Sequence, residues 1–109
     1  MRTLDDYADE NRLKEIHFIK LDIEGAEFLA LKGGAGVLRR SKPVIHLEFF
    51  PAWTKAFGYS AEDLLEFLRS FGYIYLYRND MSNLEETVAQ LDASLESQNI
   101  VCSTNPLVK

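Results

Sequence analysis

The stretch IHFIKLDI, residues 16–23, runs directly into EGAEFLALKGG, residues 24–34, and this junction decides the fold class. The first segment is short, rich in isoleucine and apolar for most of its length, which predicts a buried strand. The second has apolar residues at helical spacing up to a glycine pair, which predicts a helix that breaks there. A strand that leads straight into a helix is typical of a βαβ unit with parallel strands.

The rest of the chain continues the alternation of strands and helices. Further strands are predicted at residues 44–50, 73–78 and 99–104, and helices at residues 3–14 (a short helix or turn), 37–40, 60–72 and 82–96. Ser60 is a good N-cap, Gly72 is placed as the C-cap of the same helix, and Pro51 is expected to end a strand and open a loop. We therefore predict an α/β fold whose four strands are covered by helices on both faces.

Composition restricts the function classes. The 109 residues suffice for one domain, and a formal net charge of −5 gives no attraction to nucleic acid or to anionic membrane surfaces. No apolar run approaches the roughly 20 residues that span a bilayer, and residues 1–14 have no signal-peptide character. The single cysteine, Cys102, cannot form an internal disulfide. A reduced, cytoplasmic protein is the default expectation.

Polar side chains interrupt two of the predicted strands near their carboxyl ends, where α/β sheets bind ligands. Lys20 and Asp22 lie on one face of the first strand, with Glu24 just beyond, and His46 and Glu48 lie on one face of the second. If the two strands are parallel neighbours, Asp22 and Glu48 meet at the same edge of the sheet. Burying unpaired carboxylates costs roughly several kcal/mol, so we expect these groups to face a cleft or a partner.

Each of these residues also has a structural interpretation. Lys20 could form an ion pair with either strand-end carboxylate, and Glu27 is better explained by the positive end of a helix dipole. For His46, one backbone hydrogen bond in the core is a better explanation than catalysis. The Asp-x-Glu pair at residues 22–24 could hold a magnesium or calcium ion, but no third ligand can be named, so no metal site is predicted.

Read together, the ordered motifs resemble the signature of FkbM-family methyltransferases, K-x-D-x-E-G-x-E followed by L-x-G. The matching segments are KLDIEGAE at residues 20–27, LKG at 31–33, TLDD at 3–6, PVIHLE at 43–48 and FGY at 71–73. The resemblance covers nearly the whole chain from residue 3.

The resemblance implies a class I, Rossmann-like methyltransferase sheet of seven strands, mostly parallel, with an antiparallel last strand. Residues 1–109 would be the C-terminal portion of that domain, with the strands of this chain as its fourth to seventh. The last of them would run antiparallel between the second and the third. The opening strands, the glycine-rich turn that approaches the cofactor and the acidic residue for its ribose would be missing.

By the same resemblance, the complete domain transfers a methyl group from S-adenosylmethionine to a hydroxyl on a sugar, a polyketide or a similar small molecule. The implied catalytic residues are Asp22, Glu24 and Glu48, with Asp22 also near the cofactor. We expect the isolated chain to be inactive without the cofactor-binding half. The alternative is an inactive fragment or binding module that forms a homodimer through the exposed first strand, residues 16–23.

Overall fold

A computed structural model describes residues 3–13, 15–21, 26–78, 80–84, 90–91 and 98–107, and all structural statements concern these residues. The elements are α1 (Leu4–Glu10), β1 (Phe18–Leu21), α2 (Glu27–Lys32), α3 (Ala35–Ser41), β2 (Val44–Phe49), α4 (Pro51–Ala56), α5 (Ala61–Arg69), β3 (Tyr75–Arg78) and β4 (Gln98–Ser103). The α/β class is therefore confirmed.

The four described strands form one mixed sheet in the order β1-β2-β4-β3. Strand β1 pairs with β2 in parallel, with Leu21 opposite Leu47, while β4 runs antiparallel to both of its neighbours. The predicted place of the last strand, antiparallel between the second and third, is confirmed. One of the three neighbouring pairs is parallel, so a mostly parallel arrangement is not seen among the described strands.

The main core lies on one face of this sheet. The strand residues of that face alternate with those of the other face, and the helices α2, α3 and α5 cover them. The buried strand residues are Ile45, Leu47, Phe49, Ile100 and Cys102, and the helix residues include Phe28, Leu31, Leu38, Leu64 and Leu68. A smaller cluster of Ala8, Ile19 and Val37 extends the same face over β1. Helices on both faces are thus not confirmed among the described residues.

The opposite face of β1 and β2 is less covered. Phe18 is 55% exposed and Lys20 is exposed, while His46 and Glu48 are half-buried. Strand β1 forms one edge of the described sheet, as predicted for the first strand. Pairing of this edge with a second copy of the chain stays a prediction.

Helix α5 begins as its sequence predicts, but the segment before it does not. Ser60 is the N-cap, because its backbone N–H donates to Asp63 Oδ2 at 3.0 Å and the Asp63 N–H donates back to Ser60 Oγ at 3.2 Å. Pro51, however, is the first residue of helix α4 and does not open a loop. The reason is that the fixed φ of proline suits the first helical position, where no N–H is needed.

Helix ends account for the remaining differences from prediction. The glycine pair after Lys32 does break the helix, and α3 then spans Ala35–Ser41, longer than predicted. Helix α5 ends at Arg69, and Gly72 follows at φ 93°. The Gly72 N–H donates to the Arg69 carbonyl oxygen at 2.9 Å and the Tyr73 N–H to the Leu68 carbonyl oxygen at 3.2 Å, so Gly72 is the glycine that caps this helix, as predicted. Of the helix predicted for residues 82–96, residues 90–91 are helical and 82–84 are not, while 85–89 and 92–96 lie outside the described residues.

Helix α1 is attached to the start of α3 by the carboxylate of Asp5. Its Oδ2 accepts a hydrogen bond from the Gly36 N–H and its Oδ1 from the Val37 N–H, both at 2.9 Å. The Asp5 N–H in turn donates to the Gly33 carbonyl oxygen at 2.9 Å. Asp5 thus satisfies free N–H groups of α3 across more than 30 residues of sequence, which is a capping role for a different helix from its own.

Glycines between α2 and α3 make this contact possible. A Cβ atom at Gly34 would lie 2.6 Å from Cδ2 of Leu4, and one at Gly36 would lie 2.9 Å from Oδ2 of Asp5. A side chain at either position would force Leu4 or Asp5 to shift from its place against the turn. The glycine-rich turn therefore serves the close approach of α1.

Replacing Asp5 with alanine should destabilise the fold by about 2 kcal/mol, because it leaves two helix N–H groups without their acceptor. Urea denaturation followed by circular dichroism measures this free energy of unfolding. The matched control is Asp9→Ala in the same helix, since Asp9 is exposed. Equal stability of the two variants would contradict the capping role of Asp5.

Candidate functional site

The parallel register of β1 and β2 defines a common carboxyl edge. Lys20 lies opposite His46 and Leu21 opposite Leu47, so the two strands reach this edge together. Strand β2 continues to Glu48, which faces Asn99 of β4. The predicted site residues Asp22 and Glu24 follow β1 in the chain but lie outside the described residues, so their proximity to Glu48 stays a prediction.

Glu48 is the predicted catalytic residue that the structure describes. It is half-buried on the less covered face of β2, together with His46, which confirms that these two side chains share a face. Helix α4 starts three residues later, at Pro51, so a helix begins just beyond the carboxyl end of β2. A partly exposed carboxylate at this place can accept a hydrogen bond from a ligand hydroxyl.

The half-buried ring of His46 has one nitrogen, Nε2, that is buried. This atom has no hydrogen-bond partner in the described part of the chain. The predicted backbone hydrogen bond of a core histidine stays a prediction for the ring as a whole, since only this nitrogen is concerned. Leaving a buried polar atom unpaired costs about 1–3 kcal/mol, so Nε2 is a position where an apolar replacement is expected to stabilise the fold.

The substitution His46→Leu should raise the free energy of unfolding by about 1 kcal/mol, because an apolar side chain of similar size removes the unpaired nitrogen. Val44→Leu, at a half-buried position on the same face of the same strand, is the control for altered packing. Thermal and urea denaturation provide the measurement. A loss of stability in His46→Leu beyond that of Val44→Leu would show that Nε2 is satisfied in solution.

Glu27 is a buried carboxylate, although the sequence predicted only a favourable charge at the start of a helix. It does lie in the first turn of α2, as predicted, yet it is only 1% exposed. It lies close to the Tyr59 hydroxyl, whose pKa is raised to about 12 by burial first and by the negative charge of Glu27 second. The signal was present in the sequence, because Glu27 precedes Leu31 by four residues and so shares its buried helical face.

A groove between α2 and α5 was also not predicted. It has a volume of about 490 Å³, and its walls combine aromatic rings with charged groups: Phe28, Tyr59, Phe67, Lys32, Asp63 and Glu66. We call it the α2–α5 groove. Sequence periodicity predicts both helices, but it does not bring them together.

Other kinds of site find no support in the described ranges. Within them, no group of three or more His, Cys, Asp or Glu could hold a metal ion, and the magnesium or calcium alternative at residues 22–24 lies outside them. None of the helices described is long and apolar enough to cross a membrane. Cys102 is fully buried, and burial raises the pKa of its thiol to about 12, which makes it a poor nucleophile.

The glycine turn between α2 and α3 does not fit a nucleotide cofactor. A cradle for a cofactor needs open space beside its glycines, whereas Thr3, Leu4 and Asp5 fill that space here. The part of the chain that the structure describes therefore contains no glycine-rich cofactor loop. Glu48 suits the polar group of a small ligand, and Asp22 has the same chemistry in the sequence.

The chain can now be placed among known proteins. The family model of the methyltransferase FkbM domain matches residues 1–75, well over half of the 109 residues. No curated protein and no solved structure matches the chain. The family match includes α1, β1, the glycine turn and β2 with Glu48. This chain belongs to the FkbM methyltransferase domain family.

Proposed function

We propose that the chain takes part in methyl transfer from S-adenosylmethionine to a hydroxyl group of a small molecule such as a sugar or a polyketide. Its membership of the FkbM family supports methyltransferase activity. The strand order β1-β2-β4-β3, with β4 reversed, is consistent with the last four strands of a Rossmann-like methyltransferase sheet. In this proposal the chain forms the C-terminal portion of such a domain.

The observation that carries the proposal is the parallel pairing of β1 and β2. It sets Leu21 opposite Leu47. Asp22 follows Leu21 in the sequence, and Glu48 follows Leu47 in β2. Carboxylates that follow neighbouring parallel strands can act on one ligand at the sheet edge. We assign to Asp22 a contact with the methyl donor and a contact with the acceptor hydroxyl. Glu24 and Glu48 are assigned as further catalytic residues.

Methyl transfer from a sulfonium donor mainly requires that the protein align the acceptor hydroxyl with the methyl group. S-adenosylmethionine, when bound, supplies an electrophilic methyl group. The carboxylates Asp22, Glu24 and Glu48 hold the acceptor hydroxyl in line and accept its hydrogen bond or its proton. Positioning of this kind contributes more than proton transfer when the methyl donor is already activated.

Isothermal titration of the whole chain with S-adenosylmethionine tests the proposal. Catalysis needs the cofactor-binding half in this proposal, but Asp22 contacts the donor, so we expect weak, saturable binding by the wild type. Binding by Asp22→Asn should be at least about tenfold weaker, since loss of one charged hydrogen bond costs about 1.5–3 kcal/mol. Asp9→Asn, an exposed change in α1, should bind like the wild type.

Circular dichroism of the same samples shows whether each variant is folded. A folded wild-type chain that binds no S-adenosylmethionine would contradict donor binding by this chain. That result would support the alternative, a catalytically silent unit or binding module. Equal binding by Asp22→Asn and the wild type would remove Asp22 from the cofactor site.

A further inference from the structure

We propose that the α2–α5 groove binds an organic ammonium ion that carries an apolar body. This inference does not rest on the proposed methyl transfer. It follows from the aromatic walls of the groove, from a cation that already lies against one of its rings, and from an excess of carboxylates along the groove.

The aromatic wall is continuous. The ring centroids of Phe28 and Tyr59 are 5.0 Å apart and those of Phe28 and Phe67 are 5.4 Å apart, both pairs in edge-to-face geometry. Phe28 therefore holds the centre of the wall and is 8% exposed. Such a wall offers both apolar contact and the negative faces of aromatic rings.

The side chain of Lys32 shows that this wall accepts an ammonium group. Its Nζ atom lies 4.1 Å from the centroid of the Phe28 ring, within the range of a cation–π interaction. Lys32 is itself exposed, so its ammonium is held by the ring and is not locked in a core. A ligand ammonium could take the same place.

Charge in the groove favours a cation over an anion. Asp63 and Glu66 lie on α5 three residues apart, which is one helical turn, and both line the groove, whereas Lys32 is the lining residue of positive charge. One Asp63 oxygen accepts the Ser60 N–H at 3.0 Å. Behind the wall, the Glu27 carboxylate adds negative charge next to Tyr59.

The size of the groove calls for more than a small inorganic ion. A volume of about 490 Å³ falls within the roughly 300–1,000 Å³ of sites that hold small organic ligands. Leu29 and Phe57 also line the groove and are 53% and 47% exposed, so an apolar ligand body would cover them. The matching ligand class is an amine with a ring or an alkyl chain.

Two probes of the same shape and different charge test this inference on the whole chain. Isothermal titration would compare 2-naphthylmethylamine, a cation at pH 7, with neutral 2-naphthylmethanol. We expect saturable binding of the amine, about threefold or more tighter than the alcohol, the size expected for an exposed cation–π contact. No methyl donor is present, so failure here leaves the proposed transferase function untouched.

Two variants should change the affinity for the amine in opposite directions, and a third variant is the control. Glu66→Gln should weaken its binding and leave that of the alcohol unchanged, because only a charge is lost. Lys32→Gln should tighten its binding, because a competing cation leaves the Phe28 ring. Glu62→Gln, on the same helix but not lining the groove, is the control and should change neither affinity.

Several outcomes would overturn the inference. For the wild type, these are equal affinity for both probes or no saturable binding by the folded chain. For the variants, they are an amine affinity that Glu66→Gln leaves unchanged, or one that Lys32→Gln lowers. The last result would mean that Lys32 supports the site, which then takes an anion or a neutral compound.

Discussion

The parallel pairing of β1 with β2 is the constraint on which the fold and the candidate site both depend. Backbone hydrogen bonds in this pair fix the register of Leu21 with Leu47, and the buried faces of both strands then point to the same helices. A slip by one residue would turn Ile45 and Leu47 outward and move Glu48 into the core. The position of the carboxylate thus follows from the burial of its neighbours.

A second constraint acts from outside the sheet. Asp5 joins α1 to the start of α3, and Ala8 of α1 packs with Val37 of α3 and Ile19 of β1. A Cβ atom at Gly34 or Gly36 would crowd the side chains of Leu4 and Asp5, so the packing of α1 favours glycine at these positions. The segments TLDD and LKG, residues 3–6 and 31–33, therefore contact each other where α1 packs against the glycine turn.

Strand positions could be predicted from the sequence because short apolar runs bounded by glycine or proline have few alternatives. The place of the last strand came from family resemblance, since periodicity does not encode strand order. The role of Asp5 and the surroundings of His46 Nε2 could not be predicted, because each depends on contacts between distant segments. The burial of Glu27, by contrast, follows from its helical spacing with Leu31. Pro51 was misread because proline both ends strands and begins helices.

The central claim is that the carboxyl ends of β1 and β2 bring Asp22 and Glu48 together, and a disulfide tests it most directly. Neighbouring strands lie about 4.8 Å apart, within the range that a disulfide can bridge. In the double variant Asp22→Cys/Glu48→Cys, mild oxidation followed by mass spectrometry should show an intramolecular disulfide, because Cys102 is buried and unreactive. Asp22→Cys/Glu62→Cys should show none. No link in the first variant, or equal linking in both, would contradict the account.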